Sequence, residues 1–224
     1  MTFALKTVLI VAAHPDDELL GVGGTAARHA GAGDEVYSVV MCEGESLRYG
    51  RDVGQRTAME RAAAVLGVKR CDCLGFPDQR LDTFTLTELI SPLEKLSEEL
   101  RPNIVYCQYG GDINRDHQLL FQAANVAFRP LDPWIEEFLT FYTVSSTEWG
   151  SGFLPDTWVD ISATLERKIE AFLCYHSEVR EYPHPRSAEA LRHAARFFGN
   201  QCAMDAAEPF RTVRRVRRRA WGGK

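Results

Sequence analysis

The fold is decided by residues 6–30, which read KTVLIVAAHPDDELLGVGGTAARHA. Residues 6–13 form a nearly continuous apolar run with several β-branched side chains, which is typical of a strand buried on both faces of a parallel sheet. A short polar segment at 14–18 separates this run from a helix-like stretch at 19–30. The whole stretch therefore predicts the first strand-loop-helix unit of an α/β fold.

The same alternation recurs along the chain. Three further strand patterns are each followed by a helix pattern, at 35–44 and 55–67, at 71–76 and 86–100, and at 103–109 and 117–128. The rhythm weakens beyond residue 130, where strands and helices are predicted at 139–144, 157–161, 165–176 and 188–199. Strands that alternate with helices predict βαβ units with right-handed crossovers. We therefore expect an α/β fold with a Rossmann-like, mainly parallel sheet and helices on both faces.

The composition fits one compact domain. The chain has 224 residues, of which 45% are hydrophobic and 25% charged, and this balance is typical of a single folded unit. The last fourteen residues hold seven of the 26 basic side chains and no acidic one, which leaves 19 basic against 31 acidic residues in 1–210. We expect one domain over 1–210 and a basic C-terminal tail over 211–224. This tail either finishes as a strand, with Val213 and Val216 as its only aliphatic residues, or is disordered. An acidic body does not favour nucleic-acid binding.

The cellular compartment is predicted from what the sequence lacks. No apolar run approaches the roughly 20 residues that a transmembrane helix needs, and no segment resembles a signal peptide. The six cysteines are dispersed along the chain, which favours reduced thiols. We therefore expect a cytoplasmic protein without a transmembrane segment.

Polar side chains gather in two predicted loops at the carboxyl ends of strands, where open parallel sheets form their ligand sites. His14, Asp16 and Asp17 follow the first strand, and Asp116 and His117 follow the fourth. Two histidines and one carboxylate, with a fourth position open, are the arrangement of a catalytic zinc site. Iron uses the same donors, so Fe²⁺ remains an alternative. Acids at a helix start are also ordinary capping residues, which leaves a structural role open for both aspartates.

Short segments spread over the chain share the motifs of one enzyme family. They are AHPDDE at 13–18, GFPDQRLD at 75–82, GGDINRDHQ at 110–118, YHSE at 175–178, HPRS at 184–187 and AEPF at 207–210. In this order they resemble the LmbE-like (PIG-L) zinc-dependent N-deacetylases, whose hallmark is the first segment. The resemblance covers nearly the whole chain, and the second and fifth segments resemble bacterial relatives.

The resemblance implies an enzyme and assigns roles to single residues. It implies that His14, Asp17 and His117 bind Zn²⁺ and that Asp16 is the general base. The implied reaction removes an N-acetyl group from an N-acetylglucosamine-type sugar or glycoconjugate, by Asp-assisted attack of metal-bound water. The expected partner is a small amino-sugar conjugate. Several relatives assemble into oligomers, so a homo-oligomer is an alternative to a monomer.

One position departs from the family pattern. Many relatives have a histidine three positions before the last ligand, where this chain has Asn114. Asparagine donates a hydrogen bond but does not exchange a proton at neutral pH. His184, Arg186 and Tyr109 are candidates for the acid-assisting role. Structural roles stay open for them, because prolines frame His184 and because Arg186 precedes a predicted helix.

Two other polar side chains lie in the predicted loops. Asp116 is predicted to orient a neighbouring metal ligand rather than to bind the metal itself. Arg80 is predicted to contact a hydroxyl or phosphate group of the substrate, or to form a surface ion pair with Asp78 or Asp82.

Two other classes of protein remain as alternatives. The segment GVGGTA at 21–26 fits the dinucleotide fingerprint G-x-G-x-x-A, which would indicate a Rossmann-like nucleotide-cofactor-binding protein. That fingerprint needs its first glycine directly after the first strand, whereas these glycines fall inside the predicted helix. The second alternative is a non-catalytic metal-binding relative. Loss of Asp16 would indicate it, and Asp16 is present.

Overall fold

Seven strands form one sheet in the computed structural model, which describes residues 4–45 and 49–218. The strands are β1 (Thr7–Ala12), β2 (Glu35–Cys42), β3 (Arg70–Phe76), β4 (Ile104–Gln108), β5 (Glu137–Phe141), β6 (Thr157–Asp160) and β7 (Ala207–Arg215). Their order across the sheet is β3-β2-β1-β4-β5-β7-β6. Strands β1 to β5 pair in parallel, and β7 pairs antiparallel with β5 and β6. The predicted Rossmann-like, mainly parallel sheet is confirmed.

Helices cover both faces of the sheet, as predicted. They are α1 (Asp17–Gly31), α2 (Gln55–Leu66), α3 (Leu86–Leu100), α4 (Arg115–Ala127), α5 (Leu165–Leu173) and α6 (Ala188–Asn200). Helices α1, α2, α5 and α6 pack on one face, and α3 and α4 pack on the other. Alternate residues of β1 enter the two cores, which explains why nearly every position of this strand is apolar. Within the described ranges, no helix combines the length and the apolar character needed to cross a membrane.

Two glycines let α1 pack closely against its neighbours. A Cβ atom at Gly21 would lie 2.1 Å from the ring of Phe141, and one at Gly24 would lie 2.8 Å from the side chain of Ile161. Both glycines lie inside α1 rather than directly after β1. They therefore serve close packing and not the tight turn that a dinucleotide-binding site requires.

A buried ion pair between α5 and β7 also holds the backbone of α1. Lys168 Nζ donates to the backbone carbonyl of Leu20 at 2.7 Å and to the carboxylate of Glu208 at 2.6 Å. Glu208 also accepts from the backbone N–H groups of Gly24 at 2.9 Å and Thr25 at 2.8 Å. These hydrogen bonds offset the cost of burying two charges. The AEPF segment, which contains Glu208, thereby supports the helix that begins in the HPDDE segment.

Much of the basic segment predicted as a tail belongs to the sheet. Residues 211–215 form the second half of β7, so the predicted boundary at residue 211 falls inside a strand. Arg214 and Arg218 donate to backbone carbonyls between α4 and β5, those of Phe128, Pro130, Asp132 and Ile135. These arginines therefore satisfy backbone acceptors of an irregular connection. Residues 219–224 of the predicted tail lie outside the described residues.

Candidate metal centre and active site

The candidate site lies at the carboxyl ends of β1 and β4, which are neighbours in the sheet. His14 follows β1, Asp17 begins α1, and His117 lies in the first turn of α4. The strand order changes direction between β1 and β4, and open α/β sheets form their ligand sites at such a point. The three residues are no more than 3% exposed, so they are shielded from bulk water.

One donor atom from each of these residues points to a common centre. Asp17 Oδ2 lies 3.3 Å from His14 Nδ1 and 3.2 Å from His117 Nε2, and the two ring nitrogens lie 3.3 Å apart. A tetrahedral zinc ion with bonds of about 2.0–2.1 Å holds its ligand atoms about 3.3–3.4 Å apart. The observed triangle therefore has the size and the donor types that zinc requires.

A glutamine that sequence reasoning missed holds Asp17 in place. Gln108 Nε2 donates to Asp17 Oδ2 at 2.6 Å, and Gln108 Oε1 accepts from the backbone N–H of Ala13 at 2.6 Å. Gln108 is fully buried at the last position of β4. A polar residue at the end of an apolar strand is the signal that could have found it.

Each histidine of the triangle faces a second carboxylate through its other nitrogen. Asp116 Oδ2 lies 3.0 Å from His14 Nε2, and Asp112 Oδ1 lies 3.2 Å from His117 Nδ1. Asp112 is itself held by hydroxyl groups, because it accepts from Thr147 Oγ1 at 2.6 Å. A carboxylate that accepts a hydrogen bond from a ligating histidine orients the ring and fixes which nitrogen carries the proton, and Asp116 is placed to do so for His14. The contact of Asp112 with His117 does not have hydrogen-bond geometry, because Nδ1 of His117 has no hydrogen-bond partner in the part of the chain that the structure describes.

Charge coupling within the triangle decides where the protons reside. Burial alone would lower the pKa of His117, but the charge of Asp17 and a contact with Asp112 raise it to about 9. Burial alone would raise the pKa of Asp17, but His117 and His14 hold it well below its usual range. These shifts favour a protonated His117 beside an ionised Asp17, and a metal ion that binds here would have to displace that proton.

Asp16 occupies a strained position just before α1. Its φ of 93° lies in the left-handed region, which is uncommon for a residue other than glycine. Asp16 Oδ2 accepts from Arg186 Nη1 at 2.8 Å, while Oδ1 is buried and has no hydrogen-bond partner among the described residues. Burial raises the pKa of Asp16 well above its usual value, although Arg186 opposes the shift. Asp16 therefore presents one anchored oxygen and one that is available for chemistry.

Three of the short sequence segments meet around Asp16. Arg186, from the HPRS segment, donates through Nη1 to Asp16 and also to Glu178 Oε2 at 2.9 Å. Glu178 and Tyr175 belong to the YHSE segment, and the Tyr175 hydroxyl donates to Glu18 Oε1 at 2.6 Å. Glu18 in turn accepts from the backbone N–H of Asp16 at 3.0 Å. These segments, which lie far apart in sequence, thus build the surroundings of one carboxylate.

The structure does not bring four other predicted residues to the metal-ligand triangle. Asn114 is the N-cap of α4 and accepts from the backbone N–H of Asp116 at 2.8 Å. The Tyr109 hydroxyl donates to the backbone carbonyl of residue 151 at 3.0 Å. His184 is exposed, and its ring accepts from the backbone N–H of residue 186. Arg80 is exposed, and in the described ranges its side chain makes no hydrogen bond with the triangle.

The fold and the triangle together define a class: an α/β protein with a candidate mononuclear metal centre at the point where its strand order reverses. The PIG-L family model, described as GlcNAc-PI de-N-acetylase, matches residues 9–128. This match spans more than half of the chain, and the chain belongs to the PIG-L family, as its segments predict.

Two curated relatives and one solved structure resemble most of the chain. An uncharacterized deacetylase of Escherichia coli K12 is 32% identical over 161 residues, which are 70% of this chain and 82% of the relative. Diacetylchitobiose deacetylase of Thermococcus kodakarensis is 27% identical over 233 residues, which are 93% of this chain and 84% of the relative. A conserved protein of Thermus thermophilus matches with a TM-score of 0.78 and 27% identity, over 98% of this chain and 100% of that one.

The fold is also shared with an enzyme of another type. The structure of GalB, the 4-carboxy-2-hydroxymuconate hydratase from Pseudomonas putida, matches with a TM-score of 0.76 and 21% identity, over 96% of this chain and 100% of that one. One fold can carry several reactions, so the reaction has to be inferred from the site.

Proposed function

We propose that this protein is a metal-dependent hydrolase that removes the N-acetyl group from an N-acetylglucosamine-type sugar or glycoconjugate. The observation that carries the proposal is the buried triangle of His14, Asp17 and His117 with Asp16 directly before α1. The family description and the diacetylchitobiose deacetylase relative support an acetylated amino sugar as the substrate. We assign the activity to a single domain that includes β7.

Zinc is the metal that we propose for the triangle. Two imidazoles and one carboxylate suit it, and the distances between the donor atoms match its tetrahedral geometry. When bound, zinc supplies a Lewis acid that polarises the acetamide carbonyl and makes water more acidic. Fe²⁺ accepts the same donors and remains the alternative.

Asp16 is the proposed general base. It takes the proton of the attacking water through Oδ1 and later returns it to the departing amine. A raised pKa suits this role, because a carboxyl group must hold the proton between the two steps. Arg186 holds Oδ2 and so fixes the direction in which Oδ1 points.

Supporting residues take the proposed roles of orienting groups. Asp116 keeps His14 turned so that Nδ1 faces the triangle, and the charge of Asp112 lies 3.2 Å from Nδ1 of His117. Arg186 does not replace the acid-assisting histidine of the family, because a guanidinium stays charged at neutral pH. Asn114 serves as the cap of α4. Asp16 therefore carries both proton transfers.

The test measures acetate release and bound metal in the same preparations. Wild-type protein is expected to hold one metal ion per chain and to release acetate from N,N′-diacetylchitobiose or from a panel of N-acetylglucosamine conjugates. Asp16→Asn is expected to keep the metal and to lose about 100-fold or more in rate. Asp82→Asn, which changes an exposed acid, is the matched control.

Two outcomes would overturn the proposed function, and a third would overturn the role of Asp16. Metal-loaded protein that releases no acetate from any conjugate would favour a non-catalytic metal-binding relative. Metal-free protein that binds NAD would favour the nucleotide-cofactor alternative. Equal rates for wild type and Asp16→Asn would refute the role of Asp16.

A further inference from the structure

The His14 ring lies between two groups of donor atoms. Its Nδ1 belongs to the triangle with Asp17 and His117, while its Nε2 faces Cys42 and Asp116. The donor atoms of this second group, His14 Nε2, Cys42 Sγ and Asp116 Oδ2, all lie within 4.8 Å of one another. Each of the three residues is no more than 3% exposed. Catalysis as proposed above uses Asp116 only to orient His14 and does not use Cys42.

The spacing of the second group also fits a metal ion. Asp116 Oδ2 lies 3.0 Å from His14 Nε2 and 3.6 Å from Cys42 Sγ. With a zinc–sulfur bond of about 2.3 Å and zinc–oxygen and zinc–nitrogen bonds near 2.0 Å, tetrahedral geometry places sulfur about 3.5 Å from oxygen and nitrogen about 3.3 Å from oxygen. Asp78 Oδ1, which lies 3.7 Å from His14 Nε2, is in reach as a fourth donor.

The donor types decide which ions this group selects. A cysteine sulfur favours soft and borderline metals, whereas carboxylates alone would favour magnesium or calcium. All six cysteines of the chain are free thiols, and Cys42 is the one that shares a donor group with a histidine and an aspartate among the described residues. A thiophilic divalent ion such as Cd²⁺, or Zn²⁺ in excess, therefore matches this group.

We propose that His14 Nε2, Cys42 Sγ and Asp116 Oδ2 form a second, inhibitory site for a thiophilic divalent cation. Binding forms one bond from the metal to each donor and releases to solvent the protons of the thiol and of Nε2, with no change of oxidation state. The Nε2 proton can then no longer be donated to Asp116. The second cation is held on the same imidazole ring as the first, so the two positive charges repel each other, and the metal ion in the triangle is bound more weakly.

A side chain that covers the second group controls access to it. Gln79 Nε2 lies 3.0 Å from His14 Nε2, so the amide has to turn away before an ion can bind there. Gln79 lies in the connection after β3, next to the exposed Arg80. Binding at the second group therefore includes the cost of displacing this amide, while binding to the triangle itself does not require this movement.

Cadmium binding to zinc-loaded protein tests the site directly. A cadmium–thiolate bond gives an ultraviolet charge-transfer absorption, which reports binding at Cys42 without any measurement of activity. Wild type is expected to bind one more cadmium ion than Cys42→Ser, in which the hydroxyl keeps a donor toward Asp116 but is a poor ligand for soft metals. Cys107→Ser is the matched control, because Cys107 is equally buried in β4, on the other side of β1 from Cys42, and lies outside both donor groups.

Inhibition provides the second readout and rests on the proposed function. The cadmium concentration that halves acetate release is expected to rise about tenfold or more in Cys42→Ser and to stay unchanged in Cys107→Ser. If the protein proves to release no acetate, the absorption measurement still decides whether the site exists. The two proposals therefore fail separately.

Three results would overturn the inference. Equal cadmium stoichiometry and absorption in wild type and Cys42→Ser would show that Cys42 binds no metal. Loss of the absorption in a Cys71→Ser variant instead would place the ion at β3. Equal inhibition of the wild type and Cys42→Ser would show that the ion does not act through His14. If the serine variant fails to fold, as judged by its thermal transition, Cys42→Ala takes its place.

Discussion

Replacing Gln108 by methionine is expected to weaken both the fold and the metal centre. Methionine has a similar length but makes neither of the two buried hydrogen bonds that Gln108 makes with Ala13 and Asp17. A buried N–H group without a partner costs about 1–3 kcal/mol, and a lost hydrogen bond to a charged group costs about 1.5–3 kcal/mol. We therefore expect the free energy of unfolding to fall by about 4 kcal/mol.

Two measurements check this prediction. For a chain of this size, each kcal/mol lowers Tm by about 2–4 °C, so Tm of the metal-free Gln108→Met protein should fall by about 8–16 °C. Because Gln108 fixes the direction of Asp17 Oδ2, the affinity for zinc, measured by competition with a chelator, should fall about 10–100-fold. Gln122→Met, at an exposed position of α4, is the control. A lower Tm with unchanged zinc affinity would refute the reasoning about Asp17.

Three further perturbations probe the charges and the packing around α1. In metal-free protein, the free energy of unfolding should fall between pH 6.5 and about 9. Folding raises the pKa of His117 to about 9, so the folded state loses this advantage as the ring deprotonates. Denaturant titrations in the presence of a chelator measure this free energy, and a value that does not change with pH would contradict the prediction. Lys168→Met should cost about 3–5 kcal/mol in the same assay, because it leaves a buried carboxylate without its cation. Gly21→Ala should cost about 1–3 kcal/mol through its clash with Phe141, whereas Gly31→Ala, where a Cβ atom meets nothing within 4 Å, should be nearly neutral.

The fold could be predicted where local patterns reflect burial on both faces of the sheet. The apolar run at 7–12 indicates a central parallel strand, because alternate side chains enter two separate cores. The segment at 211–215 does not show such a pattern, since three of its five residues are arginines and only Val213 is aliphatic. Arg214 belongs in the folded domain because it donates to the backbone carbonyl of Phe128, just after α4. A contact between positions so far apart in the chain leaves no local pattern in the sequence.

Some residues of the candidate site could be identified from the sequence, whereas others are brought to the site only by the packing of distant elements. His14, Asp17 and His117 could be selected from the sequence because they follow strands whose carboxyl ends meet at one edge of the sheet. The hydrogen bond from Gln108 to Asp17 spans 91 positions of the chain, and the one from Arg186 to Asp16 spans 170. Such partners depend on how distant elements pack, which the spacing of residues in the sequence does not encode.

Because β7 lies inside the sheet, the fold cannot be completed until this strand has been synthesised. Ribosomes produce α1 early and β7 late, yet Glu208 of β7 holds two backbone N–H groups of α1, and β7 separates β5 from β6 in the sheet. A nascent polypeptide that ends before residue 207 therefore leaves Lys168 without its counter-ion and β6 without its neighbouring strand. Domains of this kind reach their final structure only after the last strand has left the ribosome. Until then, the edge of β5 lacks its neighbouring strand and is open to pairing with other strands.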